Sequence, residues 1–203
     1  MMALTKLSEF RKTANYYLTN LVVRLLAKTP VAPNAITWFG FLLTLGAAAL
    51  IVTEHLFAAG FVVLIAGFFD MLDGALARST ERVTRFGAIL DSTLDRLSES
   101  VLLLSILVIY PRDQLTSGIL VVGLALLGSL LVSYIRARAE ALGLECEVGL
   151  FTRPERVVVL TLGLLLSPVD SAFLVASLGI IVLFSFVTVS QRLLYVWQKT
   201  KIS

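Results

Sequence analysis

The chain is 203 residues long, 58% of its residues are hydrophobic, 15% are charged, and its mean hydropathy is +0.91. Soluble domains are about 45–50% apolar and about 25% charged, so this composition excludes an ordinary soluble enzyme and a disordered tail. Cys146 is the single cysteine and cannot form an internal disulfide, which excludes a disulfide-stapled module. The formal charge is +3, but the basic residues are spread over short segments, so nucleic acid is not an expected partner. The sequence predicts an all-α, polytopic membrane protein.

The first 28 residues predict an amphipathic helix. Apolar residues such as Leu7, Phe10 and Leu18 recur at helical spacing, with basic residues such as Arg11 and Lys12 among them. This pattern is typical of a juxtamembrane helix in the lipid interface, where basic side chains meet anionic headgroups. Docking of the same helix on the soluble face of the protein is the alternative, and the two are compatible.

Six apolar segments follow, and a transmembrane helix needs about 20 apolar residues. Pro33-Asn34 precedes the first segment, where Asn34 is expected as the N-cap, and Ser167-Pro168 separates the last two. The fifth segment is short. Residues 29–203 are therefore predicted to form a six-span bundle, and the whole chain, 1–203, a single membrane domain. The predicted spans are 35–53, 57–77, 86–110, 115–137, 156–169 and 172–196.

The basic residues predict the orientation. Six spans place both termini on one side of the membrane, and of the 17 Lys and Arg residues only Arg112 then falls on the other side. By the positive-inside rule, the basic face is cytoplasmic. We therefore expect a multi-pass protein of the cell membrane with both termini in the cytoplasm.

Four aspartates at the ends of neighbouring spans are the strongest candidates for function. Asp70 and Asp73 are three residues apart near the end of the second span, and Asp91 and Asp95 are four apart in the third. Each pair projects from one helical face, and the short turn between the spans makes the two helices antiparallel neighbours. The two pairs can therefore converge on the cytoplasmic face.

Carboxylates that converge at membrane depth repel each other unless cations lie between them. A site made only of carboxylates, without His or Cys, favours Mg²⁺ or Mn²⁺ over zinc. The alternative is a buried ion network in which the aspartates pair with nearby arginines, namely Arg78, Arg82, Arg85 and Arg96.

The segment from Asp70 to Asp95 reads D-x-x-D-G-x-x-A-R-x8-G-x3-D-x3-D. This pattern resembles the motif of the CDP-alcohol phosphotransferase family. The resemblance implies six spans with an amphipathic N-terminal helix, and a homodimer. It also implies that a phosphatidyl group is moved from a CDP-linked lipid such as CDP-diacylglycerol to an alcohol, with release of CMP (class 2.7.8).

The resemblance implies a role for each matching residue. Asp70 and Asp91 would bridge two metal ions, Asp73 would bind one of them, and Asp95 would bind the other. Asp95 would also be the catalytic base for the acceptor hydroxyl. The CDP moiety would contact residues of the motif and of the entry to the first span, namely Pro33, Asn34, Gly74, Arg78 and Thr84.

A group of arginines on the same predicted face bears on the acceptor. Arginine binds phosphate bidentately, so the group suggests a pocket for a phosphorylated alcohol. The Y-x-x-A-R-A-E and R-P-E-R stretches resemble the phosphatidylinositol-phosphate synthase branch of the family, which uses inositol 1-phosphate. Positive-inside flanking residues or contacts with lipid headgroups are the alternative explanation. The five arginines are Arg136, Arg138, Arg153, Arg156 and Arg192.

Other functions remain open at this stage. A phosphatidylglycerophosphate synthase would use glycerol 3-phosphate, and an archaeal-type enzyme would use an ether-linked CDP donor. A divalent-cation or phosphate transporter could also carry acids within its spans, although these acids lie at one membrane face and form no track across it. A non-catalytic membrane scaffold has no need of the eight-position motif.

Overall fold

The six apolar segments form six α-helices in the computed structural model, which describes Val23, residues 31–111 and residues 115–201. No strand occurs among these residues, so the all-α prediction is confirmed. No predicted span boundary differs from its helix by more than four residues. The predicted helix over 1–28 lies outside the described residues apart from Val23. The helices are α1 (Pro33–Val52), α2 (Leu56–Ser79), α3 (Arg85–Val108), α4 (Leu115–Ala141), α5 (Arg153–Leu166) and α6 (Ala172–Thr200).

Four of these helices, α1, α2, α4 and α6, are long and apolar enough to cross a membrane. Only 28–39% of the most apolar stretch of each is buried in the protein, so most of that surface faces outward. Large apolar side chains such as Phe61, Leu120 and Leu183 are exposed on these helices, as expected for contact with lipid. The other two helices do not meet this criterion, each for its own reason: α3 carries five charged residues, and α5 has only 14 residues.

The expected N-cap at Asn34 is wrong. Helix α1 begins at Pro33, which puts Asn34 inside the first turn. Proline suits this first position because its φ angle is already helical and the N–H that it lacks would have had no partner in the helix. The Asn34 side chain is thereby left for another role, described below.

The chain forms two compact units, and the first comprises the described residues up to Leu43 together with Ile65–Asp95. Its apolar core consists of Val23, Ile36, Leu72 and Leu76, against which Phe68, Phe69 and Ala75 pack. This core fixes the last part of α2 against the first part of α1. The aspartates of the motif all belong to this unit.

A five-residue turn, 80–84, joins α2 to α3. Just after the end of α2, Glu81 lies in the left-handed region at φ 53°, and the Arg82 N–H donates to the Ala77 carbonyl at 3.0 Å. This is the Schellman arrangement, in which a left-handed residue closes the last helical turn. The turn is short enough to keep the two aspartate-bearing helix ends together, as the sequence predicts.

The second unit comprises Thr44–Leu64 and the described residues from Arg96 onward. Its core is a cluster of buried aliphatic side chains that includes Ile51, Leu103, Ile106, Leu164 and Leu178. Helix α6 packs against both α4 and α5.

Small residues let these helices approach closely. A Cβ atom on Gly163 of α5 would lie 2.7 Å from Cβ of Ser177 on α6, and one on Gly128 of α4 would lie 2.9 Å from Cβ of Ser185. Glycine at both positions is therefore a packing requirement, as is common between membrane helices.

Candidate functional site

Three of the four predicted metal ligands come together. Asp70 of α2 and Asp91 and Asp95 of α3 each offer a carboxylate oxygen, and these three oxygens all lie within 4.8 Å of one another. All three residues are half-buried. Asp91 and Asp95 lie on one face of α3 because they are four residues apart. The short turn after α2 makes α2 and α3 antiparallel neighbours, which brings Asp70 to that face.

The chemistry of this group fits a hard divalent cation. Three negative charges this close repel each other strongly when no cation is present. The group contains only carboxylates, the ligands that Mg²⁺ and Mn²⁺ prefer. The residues therefore fit the kind of ion that the sequence predicts.

Asp73 lies outside the group of three. It is buried, with 4% of its surface exposed, and its Oδ1 accepts a hydrogen bond from the Gly74 N–H at 2.5 Å. Its other oxygen, Oδ2, has no hydrogen-bond partner among the described residues. A buried carboxylate oxygen without a partner is costly, so Asp73 fits its predicted role of binding a cation.

A cavity of about 270 Å³ adjoins these aspartates, and both Asp73 and Asp91 line it. All five residues predicted to contact the CDP moiety line the same cavity, although they come from the start of α1, the end of α2 and the following turn. A cavity of this size is close to the lower end of the range for ligand pockets, about 300–1,000 Å³. The five residues are Pro33, Asn34, Gly74, Arg78 and Thr84.

Thr84 also begins α3. Its hydroxyl oxygen accepts a hydrogen bond from the Gly87 N–H at 2.9 Å, which is the standard N-cap contact. A Cβ on Gly87 would lie 2.9 Å from the Thr84 Oγ1 and 3.0 Å from the Asn34 Oδ1. Glycine at position 87 therefore lets two predicted ligand contacts converge on the cavity.

Gly74 has a comparable relation to Arg78. The Arg78 guanidinium lies over Gly74, such that a Cβ there would be 3.3 Å from Arg78 Nη1. Two further residues that line the cavity, Thr37 and Arg82, were not predicted as contacts. Arg82 lies four residues after Arg78, in the turn that follows α2, and this spacing was the available signal.

The second unit holds the five predicted arginines, and the structure shows what three of them contact. Arg156 is 1% exposed and makes a bidentate pair with Glu99 of α3: Nε donates to Oε1 at 2.6 Å and Nη2 to Oε2 at 2.8 Å. Glu99 is 8% exposed and was not predicted. Its position four residues after Asp95, on the same face of α3 and inside the third predicted span, was the signal for it.

Arg192 is also buried, at 2% exposed, and it contacts backbone carbonyls. Its Nε donates to the carbonyl of Val148 at 2.8 Å, and its Nη1 donates to that of Val132. The same stretch of α6 holds the loop before α5 at two more points, since Thr188 and Gln191 accept hydrogen bonds from the loop's backbone N–H groups at 3.1 Å. Arg192 thus fastens the α4–α5 loop to α6.

The remaining arginines are more accessible. Arg136 pairs with Glu140 of its own helix at 2.8 Å, and both side chains are about half exposed. Arg138 is exposed near the end of α4, and Arg153 is half-buried at the start of α5. Arg192 donates to the carbonyl of Val132, which lies one helical turn before Arg136 on α4.

Comparison with known proteins connects this chain to a family. The family model described as CDP-alcohol phosphatidyltransferase matches residues 30–197. An archaetidylinositol phosphate synthase of Methanothermobacter thermautotrophicus is 36% identical over 196 residues, which cover 96% of each chain.

Solved structures are similar as well. The phosphatidylinositol phosphate synthase of Mycobacterium tuberculosis with CDP-DAG bound has a TM-score of 0.80 and 33% identity, covering 89% of this chain and 94% of its own. The structure of that enzyme in complex with manganese and citrate has a TM-score of 0.79 and 34% identity, covering 88% of each chain.

Proposed function

Because the chain belongs to the CDP-alcohol phosphatidyltransferase family, we propose that it transfers the lipid phosphate group of a CDP-linked lipid to inositol 1-phosphate and releases CMP. The relatives named above are both inositol phosphate synthases, one archaetidyl and one phosphatidyl. We take CDP-diacylglycerol as the donor, with an ether-linked analogue as the variant. The observation that carries the proposal is the cavity beside the carboxylate group, with Asp91 common to both.

The aspartates are proposed to hold the metal cofactor. Asp70, Asp73, Asp91 and Asp95 would bind Mg²⁺, as two ions, with Mn²⁺ as a substitute. A manganese complex of the M. tuberculosis enzyme supports a divalent ion of this class. When bound, such ions neutralise charge on the pyrophosphate and on the leaving CMP.

Asp95 is proposed as the catalytic base. Its carboxylate accepts the proton of the acceptor hydroxyl, and the acceptor oxygen forms a bond to the phosphorus next to the lipid. The bond from that phosphorus to the bridging oxygen breaks, and CMP leaves with the bond's electron pair. The proton that the nucleophile gives up thus ends on the carboxylate of Asp95.

The cavity is proposed to hold the CDP moiety. Arg78 supplies a cation for the diphosphate, and Gly74 leaves the space in which that guanidinium lies. Asn34 and Thr84 offer short polar side chains, and Pro33 forms the adjoining wall. These are the contacts that the family resemblance assigns, and their common cavity supports the assignment.

The arginines are proposed to bind the acceptor's phosphate. Arg136, Arg138, Arg153, Arg156 and Arg192 supply more positive charge than an unphosphorylated alcohol such as free inositol requires. Because Arg156 and Arg192 are already engaged within the protein, we expect each to offer the ligand only part of its guanidinium group.

The membrane arrangement is part of the proposal. We propose that all six helices cross the cell membrane, with both termini and the site on the cytoplasmic side, an amphipathic helix over 1–28 and assembly as a homodimer. The asymmetry of the Lys and Arg residues supports the orientation.

The test is CMP release by the purified protein with Mg²⁺, CDP-diacylglycerol or its ether analogue, and a panel of acceptors. We expect release with inositol 1-phosphate, none with free inositol, and loss of activity on chelation. Asp70→Asn and Asp91→Asn should raise the Mg²⁺ requirement most, whereas Asp170→Asn, the same change at an exposed connection, should not.

Two results would contradict the proposal. Activity with glycerol 3-phosphate but not inositol 1-phosphate would assign the protein to the phosphatidylglycerophosphate branch. Activity with unphosphorylated alcohols, unaffected by changes to the arginines, would mean that the arginines do not bind the acceptor and only mark the cytoplasmic side of the membrane.

A further inference from the structure

The Glu99–Arg156 pair is the most buried charged contact described in the second unit. Arg156 is 1% exposed and Glu99 8%. Two hydrogen bonds of 2.6 and 2.8 Å join the planar carboxylate to one edge of the planar guanidinium, through Nε and Nη2. Two parallel bonds between planar groups fix both the position and the rotation of the guanidinium.

The pair leaves one polar atom unsatisfied. Nη1 of Arg156 is buried and has no hydrogen-bond partner among the described residues. A buried donor without a partner is costly, and native structures keep few of them without a reason. Such a donor is available to an acceptor that a ligand brings into the protein.

The charges around Arg156 indicate what that acceptor is. Arg136 pairs with Glu140 and Arg156 with Glu99, whereas Arg192 donates to the backbone carbonyls of Val148 and Val132. With Glu99 and Glu140 as the two carboxylates, three guanidinium groups leave a net charge of +1 in this group. An anionic oxygen ligand would satisfy the free donor and offset the remaining charge.

Stability alone does not account for the pair. A buried ion pair is often no more stabilising than apolar residues of the same volume, because both charges must be removed from water. Leu160 and Leu164 follow Arg156 on the same face of α5, and both belong to the buried apolar core. An apolar residue at position 156 would therefore suit this environment.

We propose that Glu99 is a positioning residue for the acceptor substrate: it holds Nε and Nη2 of Arg156, so that Nη1 is left to donate to the acceptor's phosphate. This inference rests on the proposed function in taking a phosphorylated alcohol as the acceptor. Glu99 itself does not touch the substrate. Its effect reaches the acceptor only through the orientation of the arginine.

The first experiment changes the carboxylate in two ways. Glu99→Gln keeps the length and removes the charge, whereas Glu99→Asp keeps the charge and shortens the side chain by one methylene. We expect both variants to raise the acceptor KM by about tenfold or more, with the CDP-lipid KM within twofold of wild type. Glu145→Gln, the same charge change at an exposed site, is the matched control and should change neither KM by more than twofold.

A second pair of variants separates positioning from folding. Glu99→Gln leaves Arg156 as an uncompensated buried charge and can therefore prevent folding. The double change Glu99→Leu with Arg156→Met removes both charges together. We expect this protein to fold and to keep its CDP-lipid KM, with an acceptor KM raised as in Arg156→Met alone.

A test of coupling completes the experiment. In an Arg156→Lys background, Glu99→Gln should raise the acceptor KM by less than a further twofold, because the group that Glu99 orients is gone. The inference is overturned if folded Glu99→Gln and Glu99→Asp have a wild-type acceptor KM. It is equally overturned if the fold increases in acceptor KM caused by Glu99→Gln and by Arg156→Lys multiply in the double variant. A wild-type acceptor KM for the Glu99→Leu, Arg156→Met protein would overturn it as well.

The acceptor panel distinguishes this inference from the proposed function. If the wild type uses glycerol 3-phosphate and not inositol 1-phosphate, the proposed function fails, and the Glu99 variants are measured with glycerol 3-phosphate. If the wild type uses inositol 1-phosphate but the variants behave as wild type, the proposed function stands and the role of Glu99 is refuted.

Discussion

Gly87→Ala tests whether the cavity beside the aspartates binds the CDP moiety. The new methyl group would lie 2.9 Å from the Thr84 Oγ1 and 3.0 Å from the Asn34 Oδ1. Carbon and oxygen do not approach this closely without a hydrogen bond, so both side chains must move. The Asn34 amide can rotate away, but the Thr84 hydroxyl can move only by losing its 2.9 Å bond to the Gly87 N–H.

The structure sets the size of the change in stability and of the change in CDP-lipid KM. Loss of an N-cap costs about 0.5–2 kcal/mol, and replacing a helical glycine by alanine returns roughly 0.5–1 kcal/mol, so the net change in stability is small. If Asn34 and Thr84 each lose one hydrogen bond to the ligand, at about 0.5–1.5 kcal/mol each, the CDP-lipid KM should rise roughly 5–150-fold.

The assay is CMP release against CDP-lipid concentration at saturating acceptor, followed by CMP release against acceptor concentration at saturating CDP-lipid. The matched control is Gly46→Ala on α1, where an added Cβ meets nothing within 4 Å. It should leave both KM values unchanged and the thermal midpoint equal or higher. A Gly87→Ala protein with a CDP-lipid KM within twofold of wild type would refute a role for this cavity in donor binding.

Three further outcomes are expected. Asp95→Asn should keep most CDP-lipid binding and lower turnover by about 10²–10⁴-fold, the usual scale for loss of a general base; a parallel loss of binding would make Asp95 chiefly a metal ligand. Gly163→Ala should lower stability by about 1–3 kcal/mol through its clash with Ser177, measured as the thermal midpoint in detergent, whereas Gly179→Ala, which has open space, should not. Thr188→Val should cost about 1–3 kcal/mol, because it leaves a buried backbone N–H without its acceptor; an unchanged midpoint would contradict this role.

Much of the fold follows from local patterns in the sequence. All six helices lie where apolar stretches occur, and the four that are long and apolar enough to cross a membrane can satisfy their backbone in lipid only as helices. The fourth predicted span ends at residue 137, whereas the helix continues through a polar Arg-Ala-Arg-Ala-Glu-Ala stretch to Ala141. Hydropathy ends where polar residues begin, whereas these residues are good helix formers and carry the helix past the apolar region.

The site could be predicted where its residues are close in sequence. Asp70, Asp91 and Asp95 meet because two fixed helical spacings and a short turn determine their positions. The partners of the arginines could not be predicted in this way. Arg156 meets Glu99 across 57 residues, and Arg192 meets the carbonyls of Val148 and Val132 across 44 and 60. Such contacts depend on how the helices pack, which no local spacing encodes.

The shortness of α5 has a consequence for how a charged substrate arrives. With 14 residues and a rise of about 1.5 Å per residue, α5 is roughly 21 Å long, about 9 Å less than the hydrocarbon thickness of a typical bilayer. In the proposed six-span topology, its polar first turn and the loop that α6 holds beside it lie below the level of the headgroups. Backbone and charges at that depth need partners, and the protein supplies them here, because α6 accepts from the loop's N–H groups and Glu99 pairs with Arg156. For the proposed reaction, a soluble acceptor then has less hydrocarbon depth to pass on its way to the start of α5, while the acyl chains of the donor remain in the lipid.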